Sequence, residues 1–409
     1  MDLIRLGLNG TKTSRMWRAH DLKDHYDVVI IGGGVHGLAA AYYLAHDHGI
    51  TDVAVLEKNY IGSGGSGRNT TIVRSNYLTP EGVRFYDESV KLYEQLTQEL
   101  NFNMMFSQRG HMTLAHNDAA VRTMRWRAEV NQLQGVDSRL ILPEEIARIC
   151  PELDLSNHPR YPVQAALYHP PGGVIRHDAV VWGYARGADQ HGAHIHQKTE
   201  VTGIDVQRGK VIGVRTSRGA IKTGTVLNAT AGWATLISDM VGVGMPITTH
   251  PLQACVSEPL KSFLNVVIVS GSLHVYISQS DRGELVMGAG IEAYPSYSMD
   301  ATLGFLEGLC GHMLELLPCL ARVKIMRQWA GLCDMTPDFS PIMGFTPVKG
   351  FLVNVGWGTY GFKAGPVGGK RMAELIATNR TPDLIAPFRL SRFEEGRLVG
   401  EKGAASVGQ

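Results

Sequence analysis

A chain of 409 residues that is 44% hydrophobic has the length for two interleaved domains around a sizeable core. Its formal charge of +1 excludes the charge excess of a nucleic-acid or membrane-surface binder, and no stretch offers the roughly eighteen uncharged apolar residues of a membrane span. Five cysteines, an odd number with no C-x-x-C pair, argue against a disulfide framework or a zinc knuckle; a reducing cytoplasm and no metal site are expected.

Residues 1–24 lack the apolar core and small-residue cleavage site of a signal peptide. Their scattered Leu, Ile, Met and Trp residues suit an arm packed on a neighbouring surface. The organising stretch follows, from Tyr26 to Lys58. Asp27–Ile31 reads as a strand buried on both faces, followed by Gly32, Gly34 and Gly37 in G-x-G-x-x-G spacing and an alanine-rich helix over Leu38–His46. A second apolar strand, Val53–Leu56, ends in Glu57, twenty positions past Gly37, where an acid can take both hydroxyls of an adenosine ribose. Strand, glycine turn, helix and acid-closed strand together predict a dinucleotide site. The acid favours FAD or NAD over NADP, and the motif does not choose between those two.

The glycine- and serine-rich loop after Lys58 runs into Thr71–Val73 and ends on Arg74, either a carboxylate clamp or a surface ion pair. Helical spacing is predicted over Glu81–Leu100 and Asp118–Gln134, a strand over Phe106–Ala115, and a short helix from Leu142 to near Pro151. In Arg176-His177-Asp178 a histidine stands at a helix entrance, either a capping or surface residue or one with a chemical role. Val201–Leu227 alternates as a set of strands, and Val226–Thr230 leads to a tight turn at Ala231-Gly232-Trp233. Farther on, HVYISQ and ELVMGAG flank a Ser280–Gly283 hairpin turn, with His274 and Tyr276 on one face by alternation. Leu303–Leu320 reads as a helix, Trp329–Gly331 and Thr336–Pro341 as a rigid extended segment, and Phe351–Val355 as a buried strand. That strand opens a second glycine-rich turn containing Gly356, Gly358, Gly361, Lys363 and Gly365.

The segments YDVVIIGGGVHGLAAAYYLAHDHGITDVAVLEK, RNTTIVRSNY, FSQRG, HPLQA, HVYISQ, GELVMGAGIE and GWGTYGFK together resemble the flavin-dependent amine oxidases of the glycine and sarcosine oxidase family. Within it they are most similar to the beta subunits of heterotetrameric sarcosine oxidases, from about Tyr26 to the C-terminus. The resemblance implies an α/β fold like that of D-amino acid oxidase. A Rossmann-like FAD-binding domain (25–98, 156–247 and 325–409) would carry an inserted α+β substrate domain (99–155 and 248–324) with a mainly antiparallel sheet.

It also decides FAD over NAD. The implied cofactor contacts are Gly32, Gly34, Val35, His36, Gly37, Glu57, Lys58, Arg68, Asn69, Thr70, Val201, Gly232, Gly358, Gly361 and Lys363. Arg74 and Lys363 are implied to hold the carboxylate of a small N-methyl amino acid, with His274 and Tyr276 as further pocket candidates. The implied reaction is oxidative demethylation, sarcosine to glycine and formaldehyde, with electrons passing from FAD to FMN to oxygen and giving peroxide. FMN would be bonded to His177, whose Arg-His-Asp context matches the family's attachment pattern, although Ala179 stands where relatives carry a second histidine. Cys333 is out of register with the cysteine that anchors FAD in single-chain relatives, so FAD is expected to be noncovalent. Alpha, gamma and delta subunits would complete the complex. Competing readings are a paralogue acting on N-methylglutamate or dimethylglycine, for which Tyr360 would reshape the cavity, and a non-catalytic FAD-binding assembly subunit, which would need no Arg74 or Lys363.

Overall fold

The computed structural model describes residues 16–402. Its first sheet is built from the short apolar runs read in the sequence, because strands covered on both faces cannot carry an alternating polar side. The order is Ile342–Phe345, Phe351–Val355, Val226–Asn228, Val28–Ile31, Val53–Leu56 and His194–His196. Neighbours are parallel except the first pair. Val28–Ile31 and Val53–Leu56 are buried throughout, and the helix Val35–His48 crosses between them. That helix starts three residues before the predicted Leu38 because the glycine turn itself feeds directly into it.

A second helix, Gly365–Thr378, lies against the first with almost no side chain between the two backbones. A Cβ added at Gly365 would come 2.3 Å from Val35 Cγ2, and one at Gly369 would come 2.4 Å from Ala39 Cβ. Glycines four apart on the second helix, facing Val35 and Ala39 on the first, are what permit this approach. The helix Pro80–Glu99 packs on the same layer, with Thr79 Oγ1 accepting the Gly82 N–H at 3.0 Å as its N-cap.

The larger sheet forms a separate layer with its own apolar core. Among the described residues its eight strands run Ile325–Met335, Thr248–Pro259, Glu284–Ile291, Val275–Gln279, Val267–Ser270, His111–Ala115, Ala165–His169 and Arg139–Ile141. All pairs are antiparallel except Val267–Ser270 with His111–Ala115. Ala165–His169 and Ile325–Met335 fall in ranges that the sequence reading gives to the cofactor domain, yet they are strands of this sheet. Ile325–Met335, of which only Trp329–Gly331 reads in the sequence as part of a rigid extended segment, pairs along its length with Thr248–Pro259. Pairing partners of a strand are distant in sequence, so local pattern does not assign it to a layer.

Two predicted elements are shorter than expected. Regular strand begins only at His111, with Ser107 making an isolated bridge to Val174. The helix from Leu303 stops at Leu316, because Pro318 removes a donor and restricts Leu317, and a 3-10 turn follows over Pro318–Arg322. Of the N-terminal arm, residues 1–15 lie outside the described residues. The remainder packs on its own chain: Arg18 Nε and His20 Nε2 reach the Asp189 carboxylate at 3.1 and 2.7 Å, and Lys23 Nζ reaches Asp52 at 2.7 Å. Among the described residues no helix is long and apolar enough to cross a membrane.

Candidate active site

The glycine turn is fixed by steric necessity. Gly32 has φ +113°, and a Cβ there would lie 2.4 Å from the Ala229 carbonyl oxygen. A Cβ on Gly37 would lie 2.0 Å from the Gly32 oxygen, so this residue sets how closely the helix follows the strand. The helix N-cap, Gly34, has no side chain to satisfy the first-turn donors, which leaves a positive helix end for phosphate. The Glu57 carboxylate is oriented by the N–H groups of Gly33 and Asn59, each 2.9 Å away. Beside it, the Lys58 ammonium sits 3.9 Å over the Trp233 ring.

From this turn opens a cavity of about 570 Å³ between the two sheets. Its walls include fifteen of the sequence-predicted residues: Gly32, Gly34, Val35, His36, Glu57, Lys58, Arg68, Asn69, Thr70, Arg74, Val201, Tyr276, Gly358, Gly361 and Lys363. An acid at the end of the second strand, a helix N-terminus entered through glycine, with Ser66 Oγ accepting the Val35 N–H at 2.9 Å, and a glycine-lined chamber in one continuous space fit an FAD molecule. Several of these side chains also brace the walls. His36, lowered to about 4 by burial and therefore neutral, pairs its Nε2 with the Gly361 carbonyl at 2.8 Å and stacks on Trp357. Arg68 Nε donates to the Ser63 carbonyl at 3.2 Å, and Asn69 Oδ1 accepts the Thr71 N–H at 2.6 Å.

Four predicted residues lie elsewhere. Gly37 and Gly232 act through close packing, Gly232 against Leu332. His274 does not share a face with Tyr276: it takes φ +52° in the turn before Val275–Gln279, which breaks the alternation. Tyr276 does face the cavity, with its phenol hydrogen-bonded to Thr70 and its pKa raised by burial. His177 is the first residue of the helix His177–Gln190, half-buried and outside this cavity. Burial lowers its pKa, and Arg176 and Asp178 flank it as an ion pair of 2.9 Å.

One region of the cavity is strongly cationic. Arg74, 5% exposed, leaves the short strand Ile72–Val73 and donates from Nη1 to the Asn76 carbonyl and Oδ1 at 3.0 and 2.9 Å, its guanidinium 4.5 Å over the Tyr77 ring. Lys363, 9% exposed, donates to the Thr359 carbonyl at 3.3 Å and lies 5.6 Å from the Tyr360 ring centre. Burial, with Arg74 adding to it, lowers the Lys363 ammonium to about 7. Tyr360 stands at this wall with its hydroxyl donated to the Glu401 carbonyl at 3.0 Å.

Among the lining residues that escaped the sequence reading are His111, Asp334 and Trp357. His111, 1% exposed, is held neutral by burial and by Arg74, and its Nδ1 has no hydrogen-bond partner among the described residues. Asp334 accepts the Gly356 N–H at 2.5 Å, and burial raises its carboxyl to about 6. Trp357 braces His36. The strand alternation in HMTLA could have placed His111 with Thr113 on one face, but nothing local says that this face is the cavity floor. Cys333, read as a packing residue, lines the cavity as a thiol whose pKa burial pushes up to about 12.

Comparison with known proteins accords with this geometry. The family model for FAD dependent oxidoreductases matches residues 27–375. Sarcosine oxidase subunit beta from Rhizobium meliloti (strain 1021) is 48% identical over 98% of this chain and 97% of its own. Its counterpart from an Arthrobacter species is 46% identical over 96% and 97%. Among solved structures, L-proline dehydrogenase from P. horikoshii superposes with a TM-score of 0.87 at 33% identity, covering 92% of this chain and all of that one. The chain belongs to the FAD-dependent oxidoreductase family, and within it to the group of sarcosine oxidase beta subunits.

Proposed function

We propose that this chain is the catalytic beta subunit of a sarcosine oxidase, which demethylates N-methylglycine to glycine. The observation that carries the reading is the buried pair Arg74 and Lys363 in the cavity that opens from the dinucleotide turn. A forked guanidinium and a point-charge ammonium, both desolvated, hold a small amino acid by its carboxylate. The same two charges disfavour a third, so the bound secondary amine is kept neutral, the form able to release hydride from its methyl group. FAD, held noncovalently by the Gly32–Gly37 turn and Glu57, supplies the hydride acceptor. Water adds to the resulting substrate imine and the C–N bond breaks, giving glycine and formaldehyde; oxygen takes the two electrons and becomes peroxide.

His177 extends the reading to a second flavin. Its neutral, half-buried imidazole at the start of a helix suits a nucleophile toward a flavin methyl carbon, and we assign it as the covalent anchor for FMN. Electrons would leave through FMN, and alpha, gamma and delta subunits would complete a cytoplasmic complex. Acid precipitation of the co-purified complex tests both flavins. FAD is expected in the supernatant, and FMN in the pellet on a peptide containing His177; His177→Ala should leave the pellet colourless. FMN kept in the pellet by that variant would remove His177. Bleaching of the FAD band by sarcosine, with formaldehyde and peroxide as products, tests the reaction. Bleaching by N-methylglutamate or dimethylglycine in place of sarcosine would redirect the substrate, and no bleaching by any of the three would favour an assembly subunit.

The state of Lys363 gives a pH signature. Above about 7 it loses its proton and its charge, so affinity for acetate, a carboxylate without an amine, is expected to fall as pH rises from 6 to 9. Titration of the flavin spectrum with acetate measures this, and a pH-independent affinity would remove Lys363 from the carboxylate site.

A further inference from the structure

The segment that carries Arg74 is held from behind by a helix that does not touch the cavity. Asp118–Leu133 contains three arginines, of which Arg122 and Arg125 face solvent while Arg127 is turned inward and only 2% exposed. Arg127 Nε donates to the Asn76 carbonyl at 2.8 Å, and its Nη2 reaches the same oxygen. This is the oxygen to which Arg74 Nη1 donates at 3.0 Å. Two buried guanidiniums therefore converge on one carbonyl, an arrangement that like charges resist unless something fixes it.

The surroundings supply the fixing. One turn farther along the same helix, Asn131 Nδ2 donates to the Tyr77 carbonyl at 2.9 Å. The next two residues give their N–H groups to the buried Glu401 carboxylate, Leu78 at 3.0 Å and Thr79 at 2.9 Å. Residues 76–79 are thus tied at three consecutive peptide groups. Glu401 also acts as a counter-charge for Arg127, offsetting part of the burial and the Arg74 repulsion that weigh against its charged form.

We propose that Arg127 is a positioning residue for substrate binding: it pins the Asn76 carbonyl, which in turn orients the Arg74 guanidinium toward the carboxylate. The inference rests on the reading that Arg74 binds that carboxylate. Arg127 itself does not line the cavity, so its effect passes through Asn76.

The test compares Arg127→Met, Arg127→Lys, Arg74→Ala and the double variant Arg74→Ala/Arg127→Met in the FAD-loaded protein. Arg127→Met is expected to raise the KM for sarcosine and the Kd for acetate together by about 30-fold, the scale of a small displacement transmitted to a binding group, with kcat changed less than about threefold. Arg127→Lys, which keeps the charge but loses the fork, should fall between wild type and Arg127→Met. In the Arg74→Ala background, Arg127→Met should add nothing further to the acetate Kd. Additive effects in the double variant would overturn the inference, as would a lysine variant indistinguishable from wild type. A parallel fall of kcat, flavin content and thermal stability in both single Arg127 variants would also overturn it, by marking the residue as structural. If Arg74→Ala alone leaves acetate binding unchanged, the carboxylate reading itself fails, which is a different result from an inert Arg127.

Discussion

Arg74→Ala is expected to raise the KM for sarcosine by about 100-fold or more while leaving FAD content and the resting flavin spectrum nearly unchanged. Removing one partner of a buried, hydrogen-bonded charge pair costs roughly 2–5 kcal/mol, and each 1.4 kcal/mol is about tenfold in affinity. Arg74 is 5% exposed, so water cannot replace it cheaply, and Lys363 at about 7 is only partly charged at neutral pH. Exposed arginine pairs seldom exceed about 1 kcal/mol, and the burial of Arg74 is why the larger figure applies. In the proposed reading the cofactor is held by the Gly32–Gly37 turn and Glu57, so flavin loading should survive. Steady-state kinetics and an acetate titration measure the effect. An unchanged KM would take Arg74 out of the site.

Gly37→Val should instead remove the flavin. The added Cβ would sit 2.0 Å from the Gly32 oxygen and 3.1 Å from Ile30 Cγ2, so strand and helix must separate. Overpacking of this kind costs about 1–3 kcal/mol, and here it displaces the turn that holds the pyrophosphate, so a loss of roughly tenfold to hundredfold in FAD affinity follows. The ratio of flavin to protein absorbance after gel filtration reads this directly. Gly304→Ala, at a position where, apart from its own helical turn, no described residue lies within 4 Å of the added carbon, is the matched control and should retain full colour. A fully yellow Gly37→Val protein would mean that the turn does not carry the cofactor.

The cofactor half of the site was legible in the sequence because its causes are local. A glycine at φ +113°, a helix entered without a capping side chain and an acid at the end of the next strand all leave their mark within thirty-odd residues. Local pattern left Arg74 open between a carboxylate clamp and a surface ion pair, and only the resemblance singled out Lys363, since burial of a cation shows in no local pattern. The convergence of Arg127 and Arg74 on Asn76 joins residues 51 apart and left no trace at all. His274 failed for a smaller reason: alternation assumes extended backbone, and a left-handed residue at the strand entrance reverses the face. Strand Ile325–Met335 was misassigned because its partner lies about 80 residues upstream, beyond any window of periodicity.

The seam between Val35–His48 and Gly365–Thr378 has a consequence for motion. Because Gly365 packs against the Val35 side chain and Gly369 against the Ala39 Cβ and backbone, sliding or rolling of either helix brings them into collision. The first helix begins at the glycine turn and the second begins two residues after Lys363, so the seam works as a gauge between the turn proposed to hold the cofactor and one of the charges proposed to receive the substrate. A gauge of this kind cannot yield when a molecule passes in or out. Another part of the cavity wall has no such constraint from regular structure: residues 292–302 join a strand to a helix, Met299 lines the cavity and Tyr297 is tied by its hydroxyl to Thr235 at 3.1 Å.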